Sequence, residues 1–140
     1  MKQSAALILF IIGLGNVSGF ACDCGPTNVK SAAQRVGVIF RGTIVQIRKR
    51  PGQSAMAVFR VNRVWKGDVG PTFEIPAIEE RGDCGGFWGD FLKVGNELVV
   101  FAFKLPGDDY YQTSICLPTA RATKSSVASE LGRGHPPSSK

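Results

Sequence analysis

Two cysteines one residue apart, Cys22 and Cys24 in the run Ala21-Cys22-Asp23-Cys24-Gly25-Pro26, constrain this chain more than any other feature. They lie where a secretory signal peptide is expected to be cut. Ahead of them Lys2 is a minimal charged n-region, Ala5 to Leu14 is an apolar stretch of fitting length, and Gly19-Phe20-Ala21 is a small-x-small cleavage site. The apolar run is too short and too early to be a spanning helix. Lipid attachment at Cys22 is the rival reading. Against it, Gly19 stands where lipoprotein signals carry a large aliphatic residue, and acylating Cys22 leaves an odd number of thiols. Residues 1–21 are therefore read as a signal peptide, and the mature chain is expected to begin at Cys22. Its α-amino group then sits on a residue that is also available for a disulfide.

Removing residues 1–21 from the 140 leaves 119, which suits one domain with a modest core. The formal charge is +6, of which Lys2 supplies one. Such an excess favours anionic partners but is well short of a dedicated nucleic-acid arm. Four cysteines in an exported chain read as two disulfides with three possible connectivities. A bridge between Cys22 and Cys24 demands a strained small ring, so both are expected to reach into the body of the domain, to Cys84 and Cys116. Loop-closure entropy sets a ceiling of about 4 to 5 kcal/mol for each such bridge. A four-cysteine zinc site is disfavoured by export and by the lack of two close Cys-x-x-Cys pairs.

The pattern after Gly37 is that of strands. One or two helical turns over Asn28 to Arg35 are capped by Thr27 or Asn28 and stopped at Gly37. Val38 to Arg48 and Ala55 to Trp65 alternate across a turn at Arg50-Pro51-Gly52-Gln53, which predicts a long hairpin. Thr72 to Ile78, Glu97 to Lys104 and Tyr110 to Cys116 complete five strands. Between them Gly82 to Gly89 is a glycine-rich loop pinned at Cys84. Apolar content falls from Thr119, so 119–140 is expected to be a low-order tail, with one helical turn at Ser125 to Leu131. Five short strands favour an all-β, closed or partly closed barrel over a sandwich, with short flanking helical turns.

With Cys-x-Cys-x-Pro at a mature N-terminus stand Val38-Ile39-Phe40-Arg41-Gly42-Thr43-Ile44, Val61-Asn62-Arg63-Val64-Trp65-Lys66-Gly67, Cys84-Gly85 and Cys116. On these residues the chain resembles a bacterial relative of the tissue inhibitors of metalloproteinases, a netrin-like domain with an OB-type barrel, over most of Cys22 to Cys116 and within a domain of residues 22–118. The resemblance implies the pairs Cys22 with Cys84 and Cys24 with Cys116. It also implies a protease-binding ridge of Cys22, Asp23, Cys24, Gly25 and Pro26. The third disulfide and the separate C-terminal domain of the animal inhibitors have no counterpart here.

The chemistry of such an N-terminus follows from its groups. A terminal amine titrates near pH 8, so much of it is neutral when offered to a metal, and with the Cys22 carbonyl oxygen it forms a five-membered chelate. Catalytic zinc keeps one coordination position open. A chain end fixed by a disulfide can occupy it at low ordering cost. In the family the next residue enters a pocket beside the zinc that is usually apolar. Here it is Asp23, and burying a carboxylate without a partner costs several kcal/mol, so either the target pocket is polar or basic or the chain is not an inhibitor.

Two function classes stand from the sequence. One is a secreted metalloendopeptidase inhibitor whose Cys22 chelates the zinc of a partner protease. The other is a secreted netrin-like binding or structural module, touching anionic surfaces or polymers through Arg48, Lys49 and Arg50 with Arg60, Arg63 and Lys66 nearby; a solvated basic hairpin is its bland counterpart. OB barrels bind single-stranded nucleic acid, but export argues against that partner. No enzyme is expected and no cofactor. The single histidine, His135, lies in the tail, the cysteines are expected to be oxidised, and adjacent Glu79 and Glu80 point to opposite faces of a strand. Arg81-Gly82-Asp83 is too short a motif to carry cell-adhesion meaning. Trp65, Phe87 and Trp88 read as core or loop anchors. The expected product is a monomer without a transmembrane anchor, extracellular or periplasmic.

Overall fold

The computed structural model describes residues 22–78, 84–123 and 126–139, with Arg50 described by its backbone alone. Residues 1–21, read from sequence as a signal peptide, the Glu79-Glu80 pair and Arg81-Gly82-Asp83 lie outside the described residues. Asn28 starts helix α1 (Val29–Arg35): its side chain accepts the Ser31 N–H at 2.8 Å from an extended backbone. Val36 returns to extended backbone, and Gly37 donates its N–H to the Ala102 carbonyl at 3.0 Å, which starts the sheet.

Strands β1 (Val38–Arg50) and β2 (Gln53–Lys66) form the long hairpin, turning at Pro51-Gly52, where Gly52 has a φ of +71°. The short strand β3 (Thr72–Pro76) pairs with β2. Strand β4 (Glu97–Ala102) pairs with β1, and the two-residue β5 (Ala120–Arg121) pairs with β4. Helix α2 (Val127–Leu131) follows. The five strands make one antiparallel sheet in the order β3-β2-β1-β4-β5. The β1–β2 register shifts at Arg41/Gly42 and Ile44/Gln46, among other places, and such extra residues bend a hairpin. Gly42 suits its place because a Cβ there would meet the Arg60 carbonyl at 3.0 Å.

Period-two alternation sorts the apolar side chains into two cores. Val38, Phe40 and Ile44 pack with Phe59, Val61, Leu98 and Val100 on one face, and the Phe40 and Phe59 rings meet edge-on at 5.4 Å. Ile39, Val99 and Phe101 face the other way, beneath Val29 and Ala32 of α1 and Val127 of α2. Covered on both faces, β4 is apolar without interruption from Leu98 to Ala102. Each large side chain so buried contributes roughly 1.5 to 3 kcal/mol.

The expected all-β architecture is present as one antiparallel sheet, with β3 and β5 as its edges and no strand pairing between them among the described residues. Two other expectations need correction. The fifth strand expected over Tyr110 to Cys116 is replaced by isolated bridges of Gln112 to Phe103 and Ser114 to Gly85. Side chains there compete with a regular ladder, since the Thr113 and Ser114 hydroxyls donate to the Phe101 and Cys84 carbonyls, each at 2.8 Å. Nor do the described residues of 119–140 form the expected low-order tail. They supply β5 and α2, and beyond them His135 exchanges main-chain hydrogen bonds with Val64 at 2.8 and 2.9 Å, while the Ser138 N–H reaches the Val69 carbonyl at 2.8 Å. Backbone pairing of this kind needs no apolar side chain, which is why composition gave no sign of it.

Candidate functional site

The ridge begins where two hydrogen-bonded segments present their cysteines side by side. The Ile115 N–H donates to the Cys84 carbonyl at 3.2 Å, Gly85 bridges Ser114, and the Ser114 hydroxyl takes the Cys116 N–H at 3.1 Å while donating to Cys84. Cys84 itself has a φ of +61°, a left-handed conformation unusual for a residue with a side chain, which the surrounding bonds hold in place. Of the connectivities left open by the residues alone, the structure contains Cys22–Cys84 and Cys24–Cys116, with Cα separations of 5.6 and 5.1 Å.

Consecutive anchors therefore flank one residue. Asp23 stands between the two bridges and is exposed, as are Cys24, Gly25 and Pro26, while Cys22 is half-buried. The Thr27 hydroxyl closes the segment by donating to the Gly25 carbonyl at 3.1 Å, and Asn28 then caps α1. Beside the ridge lies a cleft of about 450 Å³ whose walls include Asp23, Pro26, Arg35, Phe103 and Leu117. The arrangement can present one carboxylate and a shallow apolar shoulder to a partner. Among the described residues no group of three or more His, Cys, Asp or Glu side chains is placed to hold a metal ion of its own.

The other expected residues are dispersed. Arg48 is paired with Glu74, Lys49 is exposed at the hairpin tip, and the Arg50 side chain is outside the described residues. Lys66 is turned to the body, its ammonium on the Ala33 carbonyl at 2.7 Å, whereas Arg60 and Arg63 are exposed. The tip thus brings together less free positive charge than its sequence carries. His135 is held by its backbone, with Nδ1 at 2.7 Å from the Pro136 carbonyl. Phe87 is buried and Trp65 half-buried with its indole N–H on the Gly132 carbonyl at 2.9 Å, but Trp88 is 46% exposed and, among the described residues, joins neither core.

Sequence reasoning missed a polar cluster on the outer sheet face. Arg41 donates to Glu97 at 2.9 Å and Asn62 donates to the same carboxylate at 2.7 Å. The Arg41 hydrogen bond holds the Glu97 carboxyl below its ordinary value, partial burial opposing and Asn62 assisting. The outward alternation of Arg41 and Asn62 was the available signal; their convergence on Glu97 depends on strand order. It also missed the apposition of Glu74 with Asp109, Tyr110 and Tyr111, which are distant in sequence and line one cavity. No protein-family model matches this chain, and no curated protein shows significant similarity to it.

Proposed function

We propose that the mature chain is a secreted inhibitor-like ligand of a zinc endopeptidase, presenting Cys22 to the catalytic metal and Asp23 to the pocket beside it. One observation carries the reading: two disulfides on either side of a single exposed residue hold Cys22 to Pro26 as a preset ridge. Cleavage after Ala21 makes the Cys22 nitrogen a primary amine. That nitrogen and the Cys22 carbonyl oxygen offer two ligand atoms in a five-membered chelate to a zinc whose coordination is incomplete. Because the segment is ordered in advance, little conformational entropy is lost on docking.

The likeness to the tissue inhibitors of metalloproteinases, and with it an OB-like barrel, belongs to this reading. Short bridges support the barrel: Phe103 pairs with Gln112, the Gly86 N–H donates to the Thr113 carbonyl and the Phe87 N–H to the Ile78 carbonyl, so an irregular ring of bonds runs from β4 round to the end of β3. Two disulfides, and no helix among the described residues long and apolar enough to cross a membrane, are compatible with an extracellular or periplasmic product.

The test is a set of inhibition constants for the mature protein and Asp23→Thr against zinc endopeptidases with apolar and with basic pockets. The mature protein is expected to prefer basic pockets, and Asp23→Thr to gain roughly tenfold or more against apolar ones by removing an unpaired buried carboxylate. If neither protein inhibits any member, the module reading replaces this one.

A further inference from the structure

Among the described residues no strand pairs with the outer side of β3, which faces a cavity. The Ala77 N–H reaches the Ala55 carbonyl at 2.6 Å and the Val61 N–H reaches the Pro71 carbonyl at 2.8 Å, with Phe73 opposite Phe59 and Ile75 opposite Ala57. In an antiparallel ladder this parity turns the N–H and C=O groups of Phe73 and Ile75 toward β2, and those of Thr72 and Glu74, with the Pro76 carbonyl, outward. On that outer side the Ile78 carbonyl accepts the Phe87 N–H at 2.8 Å, but among the described residues no main-chain group meets Thr72, Glu74 or Pro76. Pro76, lacking an N–H, falls on the row where a sheet tolerates it.

Opposite this row stands the segment Asp109–Tyr111. A cavity of about 640 Å³ lies between the two, lined by Phe73, Glu74, Pro76, Asp109, Tyr110 and Tyr111 among others. The Phe73 and Tyr111 rings approach to 5.5 Å, while Tyr110 is 47% exposed. Arg48 takes up the Glu74 carboxylate, and Asp109 has no ion-pair partner among the described residues. The cavity therefore combines unpaired strand hydrogen-bonding groups, aromatic faces and one uncompensated negative charge. No lining residue is shared with the N-terminal ridge.

We propose that this seam binds an extended peptide segment of a partner protein, added as a strand beside β3, with a lysine or arginine side chain of the peptide against Asp109 and the face of Tyr110. Main-chain bonds to Thr72 and Glu74 supply affinity that is indifferent to sequence, and the alternate side chains supply selectivity. Charge supplies the choice of a basic peptide. With Lys2 left out the formal charge is +5, which repels cations over much of the surface, so attraction at this seam comes from a local carboxylate and aromatic ring.

The probe is a blocked heptapeptide of alternating lysine and valine, titrated into the disulfide-bonded protein and followed by amide NMR and hydrogen exchange. Shifts and slowed exchange are expected at the Thr72 and Glu74 amides. The peptide with glutamate in place of lysine should bind roughly tenfold or more weakly. The same lysine peptide N-methylated at its valines should lose binding, since it cannot extend the ladder. The double variant Asp109→Asn with Tyr110→Ala, both on an exposed loop, should weaken the lysine peptide roughly fivefold or more at unchanged melting temperature. Equal binding of the N-methylated peptide, equal binding of the glutamate peptide, or shifts confined to other surfaces would overturn the proposal. So would protection of Thr72 and Glu74 that grows with protein concentration alone, which assigns the edge to a second copy of the chain.

Discussion

Segments 22–28 and 132–138 are both irregular and polar, yet they are held by different physics. The first is fastened by two disulfides and a helix cap. The second rests on main-chain bonds from His135 to Val64 and from Ser138 to Val69, with the Trp65 indole on the Gly132 carbonyl. A disulfide holds until it is reduced, whereas a hydrogen bond contributes about 1 kcal/mol net and opens in local fluctuations. The N-terminal ridge is therefore suited to carry an interaction that depends on a fixed chain end, and the C-terminal strap is expected to detach first.

The largest effect that would break this contrast is the removal of a ridge anchor. Replacing Cys24 and Cys116 together by Ser should destabilise the domain by roughly 2 to 5 kcal/mol in urea unfolding. A loss well under 1 kcal/mol would mean that the second bridge constrains little. Truncation after Gly132 comes next: it removes the partners of Val64 and Val69, should cost roughly 1 to 3 kcal/mol, and should abolish exchange protection at the Val64 amide with both disulfides intact. Trp65→Phe tests the strap more finely, with an expected loss of about 1 kcal/mol for one hydrogen bond.

The smallest effect is electrostatic and sits away from both segments. Because the folded state depresses the Glu97 pKa, its contribution is fully present above the unfolded value and is lost as pH falls through the lower folded value. The pair is half-exposed, so Glu97→Gln should cost about 1 kcal/mol or less at pH 7 and nothing once the carboxylate is protonated. A cost that persists unchanged into acid would show that Glu97 acts through packing instead.

Legibility followed the same division between the two segments. Cysteines announce themselves, so the ridge residues stood out in sequence, although which cysteine meets which depends on how the 84–87 and 112–116 segments pair. The hairpin and β4 were readable because alternation of Val, Ile and Phe reports a buried face directly. The C-terminal strap left no mark, since backbone hydrogen bonds are made by every residue type. Tyr110 to Cys116 misled for a related reason. Its alternation is strand-like, but the Thr113 and Ser114 hydroxyls divert the chain into bridges, and the fifth strand formed from Ala120 and Arg121 instead.

The claim that the ridge acts through a chain end at Cys22 meets its most direct test in one added residue. Inhibition of a single susceptible zinc endopeptidase would be measured for the protein beginning at Cys22 and for the same protein beginning at Ala21, both with two disulfides confirmed by intact mass. The extra residue converts the Cys22 amine into an amide that cannot bind zinc, so the inhibition constant should rise by roughly a hundredfold or more. Equal inhibition by the two forms would contradict the account.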